Sequence, residues 1–61
     1  MNIVNLKCES DLIPNLIHEN GIYPAYHMNK THWISVDIEG YEDIEKLKIL
    51  VDMSYRLVGH K

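Results

Sequence analysis

The chain of 61 residues contains a single cysteine, Cys8, and therefore cannot form an internal disulfide. A chain this short buries only about 60% of the surface that its unfolded form exposes. Small domains of this kind usually gain stability from disulfides, metals or association. We therefore expect a partner surface to supply the missing burial and the protein to form a homodimer.

Long hydrophobic runs are also absent, and the longest uninterrupted one covers only residues 49–51. A helix that spans a bilayer needs about 20 consecutive apolar residues, so we expect no contact with a membrane. The first residues lack the basic start and long apolar stretch of a secretory signal, and a lone cysteine is typical of a reducing compartment. These features predict a cytoplasmic protein.

Positive charge is scarce, with six Lys and Arg against nine Asp and Glu, and the net charge is −3 when the histidines are neutral. This balance excludes a phosphate-binding surface spread over the whole molecule. The acidic balance reverses only in residues 20–35, which contain no Asp or Glu. Any contact with nucleic acid must therefore be local to this segment.

The same segment supplies the candidate contact residues Tyr26, His27, Lys30, His32 and Trp33. Bases could stack on the two aromatic rings while the lysine contacts phosphate. The alternative interpretation is that the aromatic side chains are packing residues of a small core. The sequence leaves both interpretations open.

The hydrophobic pattern of the first third predicts a short strand followed by a helix. Branched residues near Ile3 precede a polar cluster, in which Ser10 or Asp11 is expected to cap the helix. Pro14 then falls at the third helical position, where its missing N–H costs no intrahelical bond. Asn20-Gly21 supplies the left-handed residue that ends the helix.

Residues 22–38 predict a β-hairpin, with aromatic and β-branched residues on either side of the polar break at residues 29–31. A loop of two or four residues would place Tyr23 on the face of Ile34 and leave Trp33 on the other face. A loop of three residues would instead place Tyr26 on the face of Ile34. The sequence does not decide between these registers.

A second helix is predicted after Gly40, with Glu42, Asp43 and Glu45 near its positive end. Its expected buried stripe consists of Ile44, Leu47, Leu50, Val51, Ser54, Leu57 and Val58. Two ion pairs are expected on the opposite side, Glu42 with Lys46 and Asp52 with Arg56. Gly59 is the expected terminator, with His60 and Lys61 adding positive charge at the end.

These elements predict a single α+β domain over residues 1–61, with a small antiparallel sheet, two packed helices and the order strand, helix, strand, strand, helix. No repeat, linker or low-complexity segment divides the chain.

Metal binding and catalysis have little support in the sequence. His27 and His32 could approach each other on neighbouring strands with Cys8 as a third ligand, but no paired Cys or His spacing accompanies them. Asp37 and Glu39 are the candidate carboxylate pair, since they lie on the same face of the predicted strand. The ordinary explanation is that both are solvated surface carboxylates. We therefore predict no metal, no cofactor, no small-molecule substrate and no catalytic residue.

The segment YPAYHMNKTHWISV over residues 23–36 resembles the most recognisable part of the MmcQ/YjbR family, a Tyr-His-Met-Asn-Lys hairpin followed by His-Trp. Residues 5–8 resemble the family's strand before its middle helix, and residues 52–58 resemble its terminal helix. The resemblance implies a bacterial protein with a CyaY-like fold and a double-wing surface proposed to bind DNA.

The family's amino-terminal helix and first strands have no counterpart in this sequence. The resemblance therefore implies half of a YjbR-like domain, either a natural fragment or a short relative that completes its sheet by dimerising. The implied function is that of a non-enzymatic module that binds DNA weakly. The alternative is a homodimerising structural or regulatory domain that binds no nucleic acid.

Overall fold

The computed structural model describes residues 2–59, which form three strands and two helical segments. Strand β1 spans Ile3–Lys7, a 3₁₀ helix at Ser10–Leu12 leads into α1 at Ile13–Leu16, and then follow β2 at Ile22–Pro24, β3 at Trp33–Asp37 and α2 at Ile44–Gly59. The predicted α+β class and the predicted order of elements are confirmed. The charges expected at His60 and Lys61 lie outside the described residues.

The three strands form one antiparallel sheet in the order β1-β3-β2. Leu6 pairs with Ile34, and Val36 lies between Val4 on β1 and Ile22 on β2. Directly paired residues point to the same side of an antiparallel sheet. One face of the sheet is therefore continuously apolar.

The core lies between that apolar face and the helices. Ile34 and Val36 on the central strand are fully buried, and they belong to one cluster with Leu16 of α1 and Leu50 of α2. Both helices thus cover the same face of the sheet. The opposite, helix-free face carries the side chains of Ile3, Asn5, Lys7, Tyr23, Trp33, Ser35 and Asp37.

The start of the first helical segment differs from the prediction, because neither Ser10 nor Asp11 acts as its cap. The segment begins as a 3₁₀ helix after Glu9, and no side chain caps it. The backbone N–H of Leu12 donates to the carbonyl of Glu9 at 3.0 Å, so the tight turn satisfies this donor without a side-chain oxygen. Pro14 lies in the first turn of α1, where it breaks no helical bond.

Gly21 adopts the predicted left-handed conformation with φ of 98°. It does not end the helix as predicted, because α1 already ends at Leu16 and its C-cap Ile17 is right-handed. The Gly21 carbonyl accepts from the Asp37 N–H at 2.9 Å, which extends the pairing between β2 and β3. A Cβ at this position would lie 3.2 Å from Tyr41. Both backbone conformation and close packing therefore require glycine here.

The predicted hairpin is wrong in length, because β2 ends at Pro24 and β3 begins only at Trp33. Pro24 has no N–H, and the N–H of Tyr26 donates to the Ser35 hydroxyl at 3.1 Å instead of to a strand carbonyl. Residues 25–32 therefore form a loop, which we call the β2–β3 loop.

The register with a two- or four-residue loop is also wrong. Tyr23 pairs with Ser35, and Pro24 pairs with Ile34, so Tyr23 lies on the helix-free face together with Trp33. The β2 residues therefore face the sides of the sheet that were expected for a three-residue loop. Tyr26 lies beyond the end of β2, so the strand register does not determine where its side chain points.

Helix α2 begins after Asp43, whose Oδ1 accepts from the Lys46 N–H at 3.0 Å and so caps the helix. Its buried face is narrower than predicted, because only Leu50 and Ser54 are fully buried. Of the predicted stripe, Leu47 is half-buried, whereas Ile44, Val51, Leu57 and Val58 are exposed. A three-stranded sheet contacts only one narrow side of a helix of this length.

One of the two predicted ion pairs on α2 is present. Arg56 and Asp52 approach to 3.2 Å on the exposed side of the helix. Lys46 does not use Glu42, since it binds Glu19 at the end of the α1 region. No helix within residues 2–59 is long and apolar enough to cross a membrane.

Candidate functional site

The β2–β3 loop is the most exposed part of the acid-free segment. It presents Tyr26, with 70% of its surface exposed, beside the exposed residues His27, Lys30 and His32. The rings of Tyr26 and His27 lie 4.0 Å apart at a tilt of 52°. Four of the five predicted contact residues are thus brought together on one loop, accessible to a partner.

Side-chain and backbone hydrogen bonds hold the two ends of this loop, and the His32 carbonyl at its far end accepts from the Cys8 N–H at 2.8 Å. The Ser35 hydroxyl accepts from the Tyr26 N–H and donates to Asn5 Oδ1 at 2.5 Å, so the start of the loop is tied to the helix-free face. At the far end, the Thr31 N–H donates to Asn29 Oδ1 at 2.8 Å. Such a side-chain turn explains why asparagine suits this position.

His27 has a left-handed backbone conformation with φ of 62°, which is uncommon for a residue with a side chain. The backbone therefore bends at His27, which is itself one of the residues singled out from the sequence. Sparsely populated backbone conformations are often found at binding loops.

Trp33, the fifth predicted contact residue, lies at the start of β3 rather than in the loop. It is half-buried and stands on the helix-free face, directly across from Lys7. The long helix does not cover it, because both helices pack on the opposite face. The hydrogen bond from the Tyr26 N–H to Ser35, which lies two residues beyond Trp33, connects the loop to the same strand.

The sequence interpretation missed Lys7 as a member of this surface. The pairing of Lys7 with Trp33 places a cation beside the indole on the helix-free face. The alternation of Asn5 and Lys7 with the apolar Val4 and Leu6 could have indicated that Lys7 faces away from the core. The missing information was the pairing partner of β1.

The part of the chain that the structure describes contains no cluster of metal ligands. Within residues 2–59, no group of three or more His, Cys, Asp and Glu side chains is close enough to hold a metal ion. Cys8 is buried in the core, and burial raises the pKa of its thiol above the ordinary value. A buried protonated thiol is a poor ligand and a poor nucleophile.

A polar cluster joins the α1 region to α2. Tyr41 donates its hydroxyl proton to Glu19 Oε1 at 2.7 Å, and Lys46 forms an ion pair with the same carboxylate. Lys46 is the main reason that the pKa of Glu19 is lowered, and the Tyr41 hydroxyl adds to the effect. Burial, followed by the neighbouring carboxylate, raises the pKa of Tyr41. The arrangement joins the segment after α1 to the first turn of α2.

A groove of about 840 Å³ runs between the α1 region and α2. Leu12, Leu16, Ile49 and Met53 form much of its apolar wall, and carboxylates such as Glu45 stand at its rim. None of the residues that line it is a serine, threonine, cysteine or histidine. Its lining therefore lacks the hydroxyl, thiol and imidazole groups of the common nucleophile–base pairs.

On the other side of α2, a second apolar surface lies open. It consists of Ile44, Leu47, Val51, Tyr55 and Val58, which we call the outer stripe of α2. Four of these side chains are 46–72% exposed, and Leu47 is half-buried. Contiguous apolar surface of this kind is often found where a protein contacts another surface.

Known proteins share both the sequence and the fold of this chain. The family model described as YjbR matches residues 2–57. The Bacillus subtilis (strain 168) protein named "Uncharacterized protein YyaQ" is 35% identical over 57 residues, which are 93% of this chain and 48% of the relative.

Two solved structures from Pseudomonas syringae share 40% sequence identity with the chain and cover 90% of it. A crystal structure matches with a TM-score of 0.85 over 47% of its own chain, and a solution NMR structure matches with a TM-score of 0.74 over 44%. The chain therefore spans about half the length of the relatives that it matches. Because the family model covers nearly every described residue, from Asn2 to Leu57, the chain belongs to the YjbR family.

Proposed function

We propose that this chain is a non-enzymatic binding module that contacts duplex DNA weakly through the β2–β3 loop. The observation that carries the proposal is the exposure of Tyr26, His27, Lys30 and His32 together on one acid-free loop. Lysine and histidine can approach phosphates there without repulsion from a neighbouring carboxylate within the loop. The acidic residues stand elsewhere, several of them on α2 and just before it.

The helix-free face supports a contact larger than the loop alone. Lys7 and Trp33 lie side by side on this face, which is also where the loop is anchored through Ser35. A duplex lying against the loop could therefore reach a second cation. Only a few phosphates would be contacted, so weak affinity is expected at physiological salt.

The absence of enzymatic activity is part of the proposal. The lining of the groove beside α2 contains no serine, threonine, cysteine or histidine, and the single cysteine of the sequence is buried. Neither the family description nor the name of the Bacillus subtilis relative mentions an activity. We further propose a cytoplasmic location, because the single cysteine suits a reducing compartment.

The test is binding to a fluorescent duplex, measured by anisotropy at about 20 mM salt, where charge interactions are least screened. Lys30→Ala should weaken binding and reduce the slope of log K against log salt by about 0.9, the contribution of one phosphate. Lys48→Ala is the matched control, since Lys48 is an exposed lysine on α2, away from the loop. Absence of binding, or equal loss in both variants, would contradict the proposal.

The second candidate function is that of a homodimerising interaction domain. The exposed outer stripe of α2 favours it, as does the net charge of −3, which opposes strong binding to nucleic acid. Sedimentation at micromolar concentration would test it. A folded monomer at every concentration would contradict it. The two candidates use different surfaces of the molecule, so one chain can perform both functions.

A further inference from the structure

We infer that the helix-free face of the sheet binds single-stranded DNA, with unpaired bases stacked on Trp33 and Tyr23. The inference rests on the proposed contact between the β2–β3 loop and DNA. It assigns the surface that receives the bases and the form of DNA that fits this surface. Both aromatic residues lie on the side of the sheet that neither helix covers.

Trp33 and Tyr23 stand on adjacent strands of this face. Tyr23 of β2 pairs with Ser35 of β3, and Trp33 lies two residues before Ser35, so the two aromatic residues are diagonal neighbours. Such neighbours lie about 7–8 Å apart in an antiparallel sheet, within reach of aromatic side chains. Tyr23 is 43% exposed and Trp33 is half-buried, so the core encloses neither residue. The face therefore presents two neighbouring aromatic side chains to a partner.

The polar residue beside the two aromatic residues is already hydrogen-bonded. The Ser35 hydroxyl donates to Asn5 Oδ1 and accepts from the Tyr26 N–H. Although Ser35 points to the open face, it is only 2% exposed, so the larger residues around it form the outer surface. Its hydroxyl is thus covered and occupied. Stacking on the flanking rings is the contact that this part of the face offers to a base.

Positive charge lies at the end of the face where the aromatic residues stand. Lys7 pairs with Trp33, and the loop that carries Lys30 joins the sheet at the same end. Asp37, the carboxylate of this face, lies four residues further along β3, about 13 Å from Trp33. Glu9, which follows β1, lines the groove on the helix-bearing side. A phosphate backbone that crosses this end of the face therefore meets two lysines.

Stacked bases require an unpaired strand. In duplex DNA each base pair is covered by the next one, so a ring on a protein surface cannot stack on it without opening the duplex. In a single strand the base faces are free, and aromatic side chains beside positive charge are a common way of binding them. Open sheets that display aromatic side chains bind single strands in this manner. We assign DNA because it is the ligand proposed for the adjoining loop, and RNA is one arm of the test.

The first test uses Trp33 as a fluorescent probe, because it is the only tryptophan of the chain. A base that stacks on the indole quenches its emission, whereas a contact with phosphates alone does not. We expect quenching by a thymidine oligonucleotide of about 15 nucleotides, close to the longest site of small single-strand-binding folds. A duplex of the same length should bind, as shown by anisotropy at about 20 mM salt, and leave the emission nearly unchanged.

The second test compares Tyr23→Leu with Tyr23→Phe, because leucine keeps apolar bulk and removes the ring, whereas phenylalanine keeps the ring. Tyr23→Leu should raise the Kd for the single strand at least about fivefold, and Tyr23→Phe less than about twofold. Lys7→Ala should reduce the slope of log K against log salt by about 0.7, the contribution of one phosphate of a single strand. Lys48→Ala, on α2, is the matched control and should leave this slope unchanged. Circular dichroism checks that every variant stays folded.

The results separate this inference from the proposed duplex contact. A bound duplex without any Trp33 quenching by the single strand would overturn the inference and leave the duplex contact standing. Quenching by the single strand without duplex binding would support the inference and overturn the duplex contact. Binding of neither would overturn both. Equal quenching by the duplex, or an unchanged Kd in Tyr23→Leu, would overturn stacking of unpaired bases. Tighter binding of a uridine RNA of the same length would overturn DNA as the occupant.

Discussion

Replacement of Trp33 by alanine distinguishes two roles for this side chain, the largest in the protein: packing within the chain and contact with a partner. Within one chain the indole is half-buried, on the face of the sheet that neither helix covers. This burial arises within the chain itself, where Lys7 is the residue paired with Trp33 across the strands. We therefore expect the substitution to destabilise the isolated chain.

The magnitude follows from the burial. Truncation of a fully buried tryptophan costs about 3–5 kcal/mol, and the partial exposure of Trp33 reduces the expected loss to about 2–3 kcal/mol. A domain of this size has a total stability of about 3–5 kcal/mol. The variant should thus remain folded in water but unfold at much lower denaturant concentration.

The assay is urea unfolding followed by far-UV circular dichroism, because the variant loses the only tryptophan and with it the fluorescence signal. Tyr26→Ala is the control, since Tyr26 is also aromatic but mostly exposed. It should change the free energy of unfolding by less than about 0.5 kcal/mol. Equal effects of the two substitutions would refute the packing role of Trp33. A loss that shrinks on dilution would show that the indole is buried by another chain.

Three further predictions concern the scaffold. Gly21→Ala should lower stability by about 1–2 kcal/mol in thermal unfolding, because Gly21 has a positive φ and a Cβ there would contact Tyr41. Gly59→Ala is the control and should be neutral or stabilising, because the space around Gly59 is open. Glu19→Gln should cost at most about 1 kcal/mol at pH 7, since its ion pair is partly exposed. Because folding lowers the Glu19 pKa from 4.5, this stabilisation is complete above that pH and is lost as the pH falls through the lowered value. The difference in stability between the variant and wild type should therefore shrink as the pH falls below 4.5. Ser54→Ala should lower the free energy of unfolding by about 1–2 kcal/mol, because the Lys7 N–H on β1 donates to the Ser54 hydroxyl. Hydrogen exchange at the Lys7 amide should become faster, and unchanged exchange would contradict this bond.

Local patterns in the sequence were sufficient to predict the order of elements and the left-handed turn at Gly21. Alternation in β3 and the acidic start of α2 are properties of neighbouring residues, and such signals survive in a short chain. The acid-free loop could also be found this way, because charge is read directly from composition. The family motif over residues 23–36 indicated how these elements combine into one fold.

The errors arose where the answer depends on distant partners. The length of the β2–β3 loop depends on a hydrogen bond from Tyr26 to Ser35, which no local pattern reveals. How much of α2 is buried depends on the width of the sheet, which the sequence does not reveal. The apolar stripe of α2 was therefore predicted to be buried, although Val51 and Val58 are exposed. Lys46 likewise binds a partner on another segment, Glu19, instead of one beside its own helix.

Because Cys8 is buried, the reactivity of its thiol can be used to measure how often the core opens. The Cys8 side chain is 2% exposed, and the chain contains no other thiol to compete for a reagent. A thiol reagent can therefore modify Cys8 only when the core opens. The rate of modification is proportional to the fraction of molecules that are open. For a stability of about 3–5 kcal/mol that fraction is on the order of 10⁻² to 10⁻⁴. The rate of thiol modification in native buffer thus reports stability without denaturant, and its dependence on protein concentration reports how much of that stability a second copy contributes.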